Sequence, residues 1–108
     1  MKLIWTVFAA EQLESIYRFV KKKSERAAVA VYNDILDETD GLLHFPEMAQ
    51  VEPLLSESAE TYRSLMVRNT YKVVYYLEDE TIFIVAVFDC RQSPGRLKKD
   101  IQKSNKPD

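Results

Sequence analysis

Two periods divide this chain. Leu13, Ile16, Tyr17 and Val20 fall at i, i+3, i+4 and i+7, the stripe of a helix that buries one face. Thr6 stands where an N-cap belongs, and Glu11 adds an acid near the positive pole of the helix. Lys21, Lys22 and Lys23 suit its negative pole. Ser24 is placed to cap a second helix with Ala27, Val31, Ile35 and Leu36 on its inner face. Gly41 is expected to end that helix in the left-handed conformation of a C-terminal cap. Two helices with so short a joint predict an αα-hairpin, preceded by a short strand over residues 2–5.

Residues 42–60 hold no clean period and are broken by Pro46 and Pro53, so a loop with a short helical turn is expected. The period then changes to that of strands. Thr61–Val67, Tyr71–Leu77 and Thr81–Phe88 are dense in Tyr, Val, Ile and Phe. Arg68-Asn69-Thr70 and Glu78-Asp79-Glu80 are polar connections of hairpin length. This predicts a three-stranded antiparallel meander whose edge the N-terminal strand can join. Ser93-Pro94 reads as a cap followed by proline at the first position of a short final helix. The expectation is a single α+β domain over 1–103 with a loose tail at 104–108. The helix pair should cover one sheet face, leaving the other partly open to solvent and partners.

Composition narrows the function classes. A chain of 108 residues has room for one modest core. Two glycines exclude the Gly-rich phosphate loops of Walker or Rossmann type. One cysteine, Cys90, leaves no internal disulfide and no zinc quartet, so neither a metal nor another cofactor is expected. The opening residues lack a long apolar stretch and turn acidic within a dozen positions, which predicts no signal peptide, no membrane span and a cytoplasmic protein.

The net charge of −2 hides a strong asymmetry. Asp34, Asp37, Glu38, Asp40, Glu47, Glu52, Glu57 and Glu60 run without an intervening Lys or Arg. Arg91, Arg96, Lys98, Lys99, Lys103 and Lys106 face a single acid, Asp100. A protein that held nucleic acid by bulk charge would be basic overall, so contact with a polyanion must be local.

Arg63, Lys72 and Arg91 lie on three successive predicted strands or their ends, and Arg68 at a turn between them. A meander would set them side by side as a cationic rim fit for a phosphoryl group; the alternative is surface charge that blunts the sheet edge. RNA cleavage would also need a base and an acid. Glu52 is the candidate base, with an ordinary loop acid as the alternative. His44, in a Pro-bounded loop, reads as a loop or packing residue. Cys90 beside Arg91 is a candidate for a lowered thiol pKa, but with no histidine partner it reads as a packed or idle thiol.

The order of these elements, with Tyr62-Arg63, Tyr71-Lys72-Val73-Val74-Tyr75 and Val87-Phe88-Asp89-Cys90-Arg91-Gln92, resembles the RelE/ParE superfamily of bacterial toxins from type II toxin–antitoxin systems, also called plasmid stabilisation proteins. The resemblance runs from Lys2 to about Leu97. The opening Met-Lys-Leu-Ile-Trp and Glu52-Pro53-Leu54 are similar to its YoeB branch. For RNA-cleaving members the resemblance implies phosphate-holding cations at Arg63, Lys72 and Arg91, with Glu52 as base and ribosome-bound messenger RNA as substrate. Two positions depart from that pattern. Lysine stands at 72 in place of the usual arginine, a point charge rather than a fork, and no Tyr or His follows Tyr76.

Those departures favour the ParE-like alternative, in which the toxin arrests growth by binding DNA gyrase through Arg63, Arg68, Lys72, Arg91 and Arg96. The rivals are a ribosome-dependent endoribonuclease and a non-toxic adaptor module. Either toxic reading implies a cognate antitoxin laid over the open sheet face, the cations and the helix-pair groove, with a toxin dimer or toxin–antitoxin hetero-oligomer as the assembly.

Overall fold

The computed structural model describes residues 1–104, and residues 105–108 of the expected loose tail lie outside the described residues. In chain order the elements are β1 (Lys2–Trp5), α1 (Val7–Lys21), α2 (Glu25–Gly41), β2 (Gln50–Val51), a 3-10 turn (Pro53–Leu55), β3 (Arg63–Val67), β4 (Tyr71–Glu78), β5 (Thr81–Asp89) and α3 (Gly95–Ser104). The α+β class, the helical hairpin, the meander and the closing helix all match the pattern of the sequence. Thr6 Oγ1 and Ser24 Oγ accept the Ala9 and Ala27 N–H groups at 3.1 Å, capping α1 and α2 as expected. Gly41 does not take the left-handed conformation, since no glycine has a positive φ. Instead α2 tightens past it, and the Leu42, Leu43 and His44 N–H groups bond the carbonyls of Thr39, Asp40 and Gly41.

One five-stranded sheet has the order β1-β5-β4-β3-β2. The meander is antiparallel, whereas β1 joins β5 in parallel, Lys2 opposite Thr81 and Trp5 opposite Ile84. The αα-hairpin is the crossover that a parallel pair requires. β2 lies in the Pro-broken stretch where the period predicts only loop; two residues are too few to show alternation.

The two central strands are apolar on both sides. Tyr71, Val73 and Tyr75 of β4 face the helix pair, together with Ile82 and Ile84 of β5, against Leu13, Val31 and Ile35. Ile35 is fully buried, a contribution of about 1.5–3 kcal/mol in transfer free energy. The opposite face holds a second core of Leu55, Tyr62, Val74, Val85, Phe88, Leu97 and Ile101. The face expected to be partly open is covered over much of its area by α3 and the 3-10 turn, while Tyr76 and Phe83, stacked with ring centroids 5.1 Å apart, are only partly buried.

A bulge lets β5 serve both cores. Val74 pairs with Ala86 but Tyr75 pairs with Ile84, leaving Val85 as the extra residue. Val85 and Ala86 therefore both face α3, and Val87 returns to the helix pair. Beyond Trp5 the outer edge of β5 has no strand neighbour among the described residues. Gln12 of α1 takes over there: its Oε1 accepts the Val87 N–H at 2.8 Å and its Nε2 donates to Asp100 Oδ2 of α3 at 3.1 Å.

Both hairpin turns place non-glycine residues at positive φ, Arg68 and Asn69 at 55° and 52°, Asp79 and Glu80 at 49° and 59°. The two-residue turn Asp79-Glu80 has the geometry for which Asn-Gly is the preferred pair. Glutamate bears a steric penalty there. Glu80→Gly should therefore raise stability by about 0.5–1 kcal/mol, measured as a higher midpoint in urea unfolding; an unchanged or lower midpoint would show that the turn stores no strain.

Candidate functional site

Alternation along β3 and β4 decides where the predicted cations go. Arg63 shares its face with Leu65 and Val67, towards the helix pair, whereas Lys72 shares its face with Val74 and Tyr76, towards α3. The expected common rim of Arg63, Lys72 and Arg91 is therefore not formed. Each cation has found a separate partner.

Arg63 fastens the irregular segment between α2 and β3. Its Nη1 donates to the carbonyls of Ala49 at 2.8 Å and Glu47 at 3.4 Å, and the Tyr75 hydroxyl donates to the Pro46 carbonyl at 2.8 Å beside them. Lys72 fastens the same segment from the opposite side. Its Nζ lies 2.5 Å from Oε1 of Glu52, a carboxylate with no exposed surface. Glu52 Oε2 accepts the Leu54 N–H at 3.3 Å and so caps the 3-10 turn. Burial pushes this carboxyl upward. The Lys72 hydrogen bond, the nearby Ser64 hydroxyl, the Leu54 N–H and the Lys72 charge together outweigh it, and the pKa lies below its ordinary value. Ser64 Oγ makes no hydrogen bond of regular geometry, yet it stands close enough to the carboxylate to favour the charged form.

At the end of β5, Asp89 and Arg91 form a two-pronged pair: Nε to Oδ1 at 2.9 Å and Nη2 to Oδ2 at 2.7 Å. The Arg91 hydrogen bonds hold the Asp89 carboxyl below its usual range. The Arg91 side chain remains 63% exposed. Cys90 departs from the expected lowered thiol: burial is the largest influence and raises its pKa, and the Lys72 charge does not offset it. Arg91, its sequence neighbour, is committed to Asp89. Arg68 pairs across to Asp34 of α2 at 2.6 Å, and Arg96 reaches Asp100 within α3 at 3.6 Å. His44 is exposed on the loop after α2.

Arg91 alone of these cations borders a large concavity. A groove of about 600 Å³ runs between α1 and the end of the sheet, lined by Phe8, Ile16 and Phe19 from the helix and by Tyr71, Val87, Asp89 and Arg91 from the strands. Phe19 is 58% exposed. The sequence reading missed this surface, although Phe8 and Phe19 stand at i and i+11 and widen the apolar face of α1 beyond the core stripe, with Ile16 shared between the two. The site thus combines an apolar floor with one exposed guanidinium held by a partly buried carboxylate.

Lys72 and Glu52 act as a structural tie, and this has a measurable consequence. Removing Lys72 by Lys72→Met leaves a buried carboxylate without its cation, at a cost of about 2–4 kcal/mol, whereas pairing it with Glu52→Gln should recover part of that loss. Because the folded pKa of Glu52 is lowered, its contribution is fully present above the ordinary carboxylate value, about pH 4.3, and disappears as pH falls through the lowered value. In Lys72→Met burial dominates and the sign reverses: the acid loss due to Glu52 disappears, and the variant's deficit against the parent shrinks as pH falls through the ordinary carboxylate range and the buried carboxyl takes up its proton. Urea midpoints measured across acid pH test this; equal losses in the single and double variants would refute the tie.

No curated protein matches the sequence significantly. Among solved structures, the fold is similar to a chain described as "Chromosomal ParDE TA system from P. aeruginosa", with a TM-score of 0.68, 23% identity, and coverage of 82% of this chain and 95% of that one. Residues 3–94 match the family model described as "ParE toxin of type II toxin-antitoxin system, parDE", and the chain belongs to this ParE toxin family.

Proposed function

We propose that this ParE-family toxin arrests growth by binding an essential target such as DNA gyrase, and that a cognate antitoxin silences it by occupying the groove between α1 and the end of the sheet. The observation that carries the binding reading over RNA cleavage is the fate of the candidate base. Glu52 is fully buried and paired to Lys72 at 2.5 Å, with its pKa held down. A weakly basic carboxylate without solvent access is poorly suited to take a proton from a ribose hydroxyl. Arg63 and Lys72 are committed to the 46–55 segment, which leaves no assembled phosphate clamp of the kind cleavage would use.

Arg91 is the cation best suited to an anionic group on the target. Nε and Nη2 bond the partly buried Asp89, and the remaining guanidinium N–H groups are left for a partner's carboxylate or phosphate. Arg68 and Arg96 are also exposed and stand as secondary contacts. The apolar floor of Phe8, Ile16 and Phe19 suits the apolar face of an amphipathic helix.

Controlled expression should stop growth. The purified protein should block gyrase supercoiling in vitro while leaving messenger intact in a translating extract, and Arg91→Ala should weaken the block. Messenger cleavage that disappears in Arg91→Ala would overturn the proposal in favour of the endoribonuclease. The antitoxin part is tested separately with Phe19→Asp, which should weaken co-purification with the product of an adjacent small reading frame by about tenfold or more. Unchanged capture would place the antitoxin elsewhere.

A further inference from the structure

The part of the sheet that α3 leaves bare lies towards the β4–β5 turn. Strand pairing there sets Ile4, Phe83 and Tyr76 in one row across three strands, and Lys2, Thr81 and Glu78 in the next. These side chains point away from the helix pair, because Leu3, Trp5, Leu77 and Ile82, which alternate with them, pack against it. α3 packs through Leu97 and Ile101 over Val85 and Phe88. It ends where Ser104 Oγ meets Thr6 Oγ1 at 2.7 Å, level with Ile84, whose carbonyl accepts the Thr6 N–H. Ile4 is 44% exposed beyond that end, and the stacked rings of Tyr76 and Phe83 are only partly buried. We propose that a second copy of this chain covers these two rows, the sheets packing face to face about a two-fold axis that crosses the strands.

The shape of the gap argues for this occupant. α3 is a layer about 10–12 Å thick over part of the face, and packed sheets lie about 10 Å apart. A sheet laid on the open rows therefore occupies the same layer as α3, end to end with it. A two-fold axis along the strands would stack the two α3 helices on each other. An axis across the strands carries each α3 past the turn of the other copy and avoids that clash.

Charge gives the second argument. The turn that closes the open rows is Glu78-Asp79-Glu80, three exposed acids. α3 exposes Arg96, Lys98, Lys99 and Lys103, while its acid, Asp100, is buried. The crosswise axis brings the acidic turn of each copy to the cationic helix of the other, so the contact is made twice. Another occupant would need a cationic end and an anionic end flanking an apolar strip, and this chain carries that pattern itself. The row of Ile4, Phe83 and Tyr76 supplies the apolar centre, rich in the aromatic residues that such centres favour.

Two short rows with a turn and a helix end make a small contact against the ~800 Å² per partner of a stable complex. The dimer is therefore weak, and sedimentation equilibrium of the folded full-length protein should show monomer giving way to dimer between about 10 μM and about 1 mM. Ile4→Glu should weaken the association by about tenfold or more. Added salt should weaken it as well.

Charge reversal tests the geometry. Glu78→Lys/Glu80→Lys makes both members of each contact cationic, and Lys98→Glu/Lys99→Glu/Lys103→Glu makes both anionic. Neither variant should self-associate, whereas an equimolar mixture should dimerise like the parent, since every turn then meets a helix of opposite sign. Circular dichroism and urea midpoints confirm that each variant is folded. A parent that stays monomeric throughout, or a mixture that sediments as two separate proteins, overturns the proposal. So does association that survives Ile4→Glu but is lost in Phe19→Asp, which would place the contact in the groove beside α1. The antitoxin assignment to that groove is decided by the capture assay and does not depend on this result.

Discussion

The constraint that shapes this protein is that β5 is apolar on both sides. From Ile82 to Phe88 only Phe83 escapes full burial, and a strand of this kind inside a mixed sheet needs a cover on each face. The helical hairpin supplies one. The other must be assembled from what the chain has left, namely the Pro-broken stretch after α2 and the closing helix. The Val85 bulge adjusts the strand to this double duty by setting two consecutive side chains towards α3. Without the extra residue, every side chain on one side of that point would change face.

The second cover explains the fate of the strand cations. The segment from Pro46 to Leu55 has little regular structure, so its backbone groups need side-chain partners to hold them on the sheet. Arg63 and Tyr75 donate to its carbonyls on one side, and Lys72 holds Glu52 on the other. Two cations that a sequence pattern suggests for phosphate binding are thereby spent on architecture. The contrast with Arg91 is one of solvent. The Glu52–Lys72 pair has a fully buried member and is costly to break, whereas in the Asp89–Arg91 pair the carboxylate is partly buried and the guanidinium stands largely in water.

What was legible in the sequence follows the same physics. The helices announced themselves through Leu13, Ile16, Tyr17 and Val20 and through the caps at Thr6 and Ser24, because periodicity and capping are local. The strand faces were also legible: Arg63 with Leu65 and Val67, Lys72 with Val74 and Tyr76. What did not follow was the distance across the sheet. Alternation alone put Arg63 and Lys72 on different faces, and sequence proximity of their strands concealed this. The left-handed cap assigned to Gly41 failed because the following residues satisfy the helix carbonyls themselves. The burial of Glu52 was out of reach, since it depends on a long-range pair with Lys72 and on packing of a segment with no period.

α1 is the element where fold and function meet. In 15 residues it presents a core face at Ala9 and Leu13 and a groove face at Phe8, Glu11, Ile16 and Phe19. Gln12 fixes its azimuth against the free edge of β5 and against α3, and it lines the groove itself. The amide is satisfied at both ends, and losing it would leave the Val87 N–H and the buried Asp100 carboxylate short of a partner. A helix held this firmly presents preformed surfaces, which reduces the ordering cost that a partner would otherwise meet on binding. The exposed aromatic and charged residues of α1 are therefore best understood as recognition surface carried on a rigid support, with the stability of the support residing in the two cores beneath it.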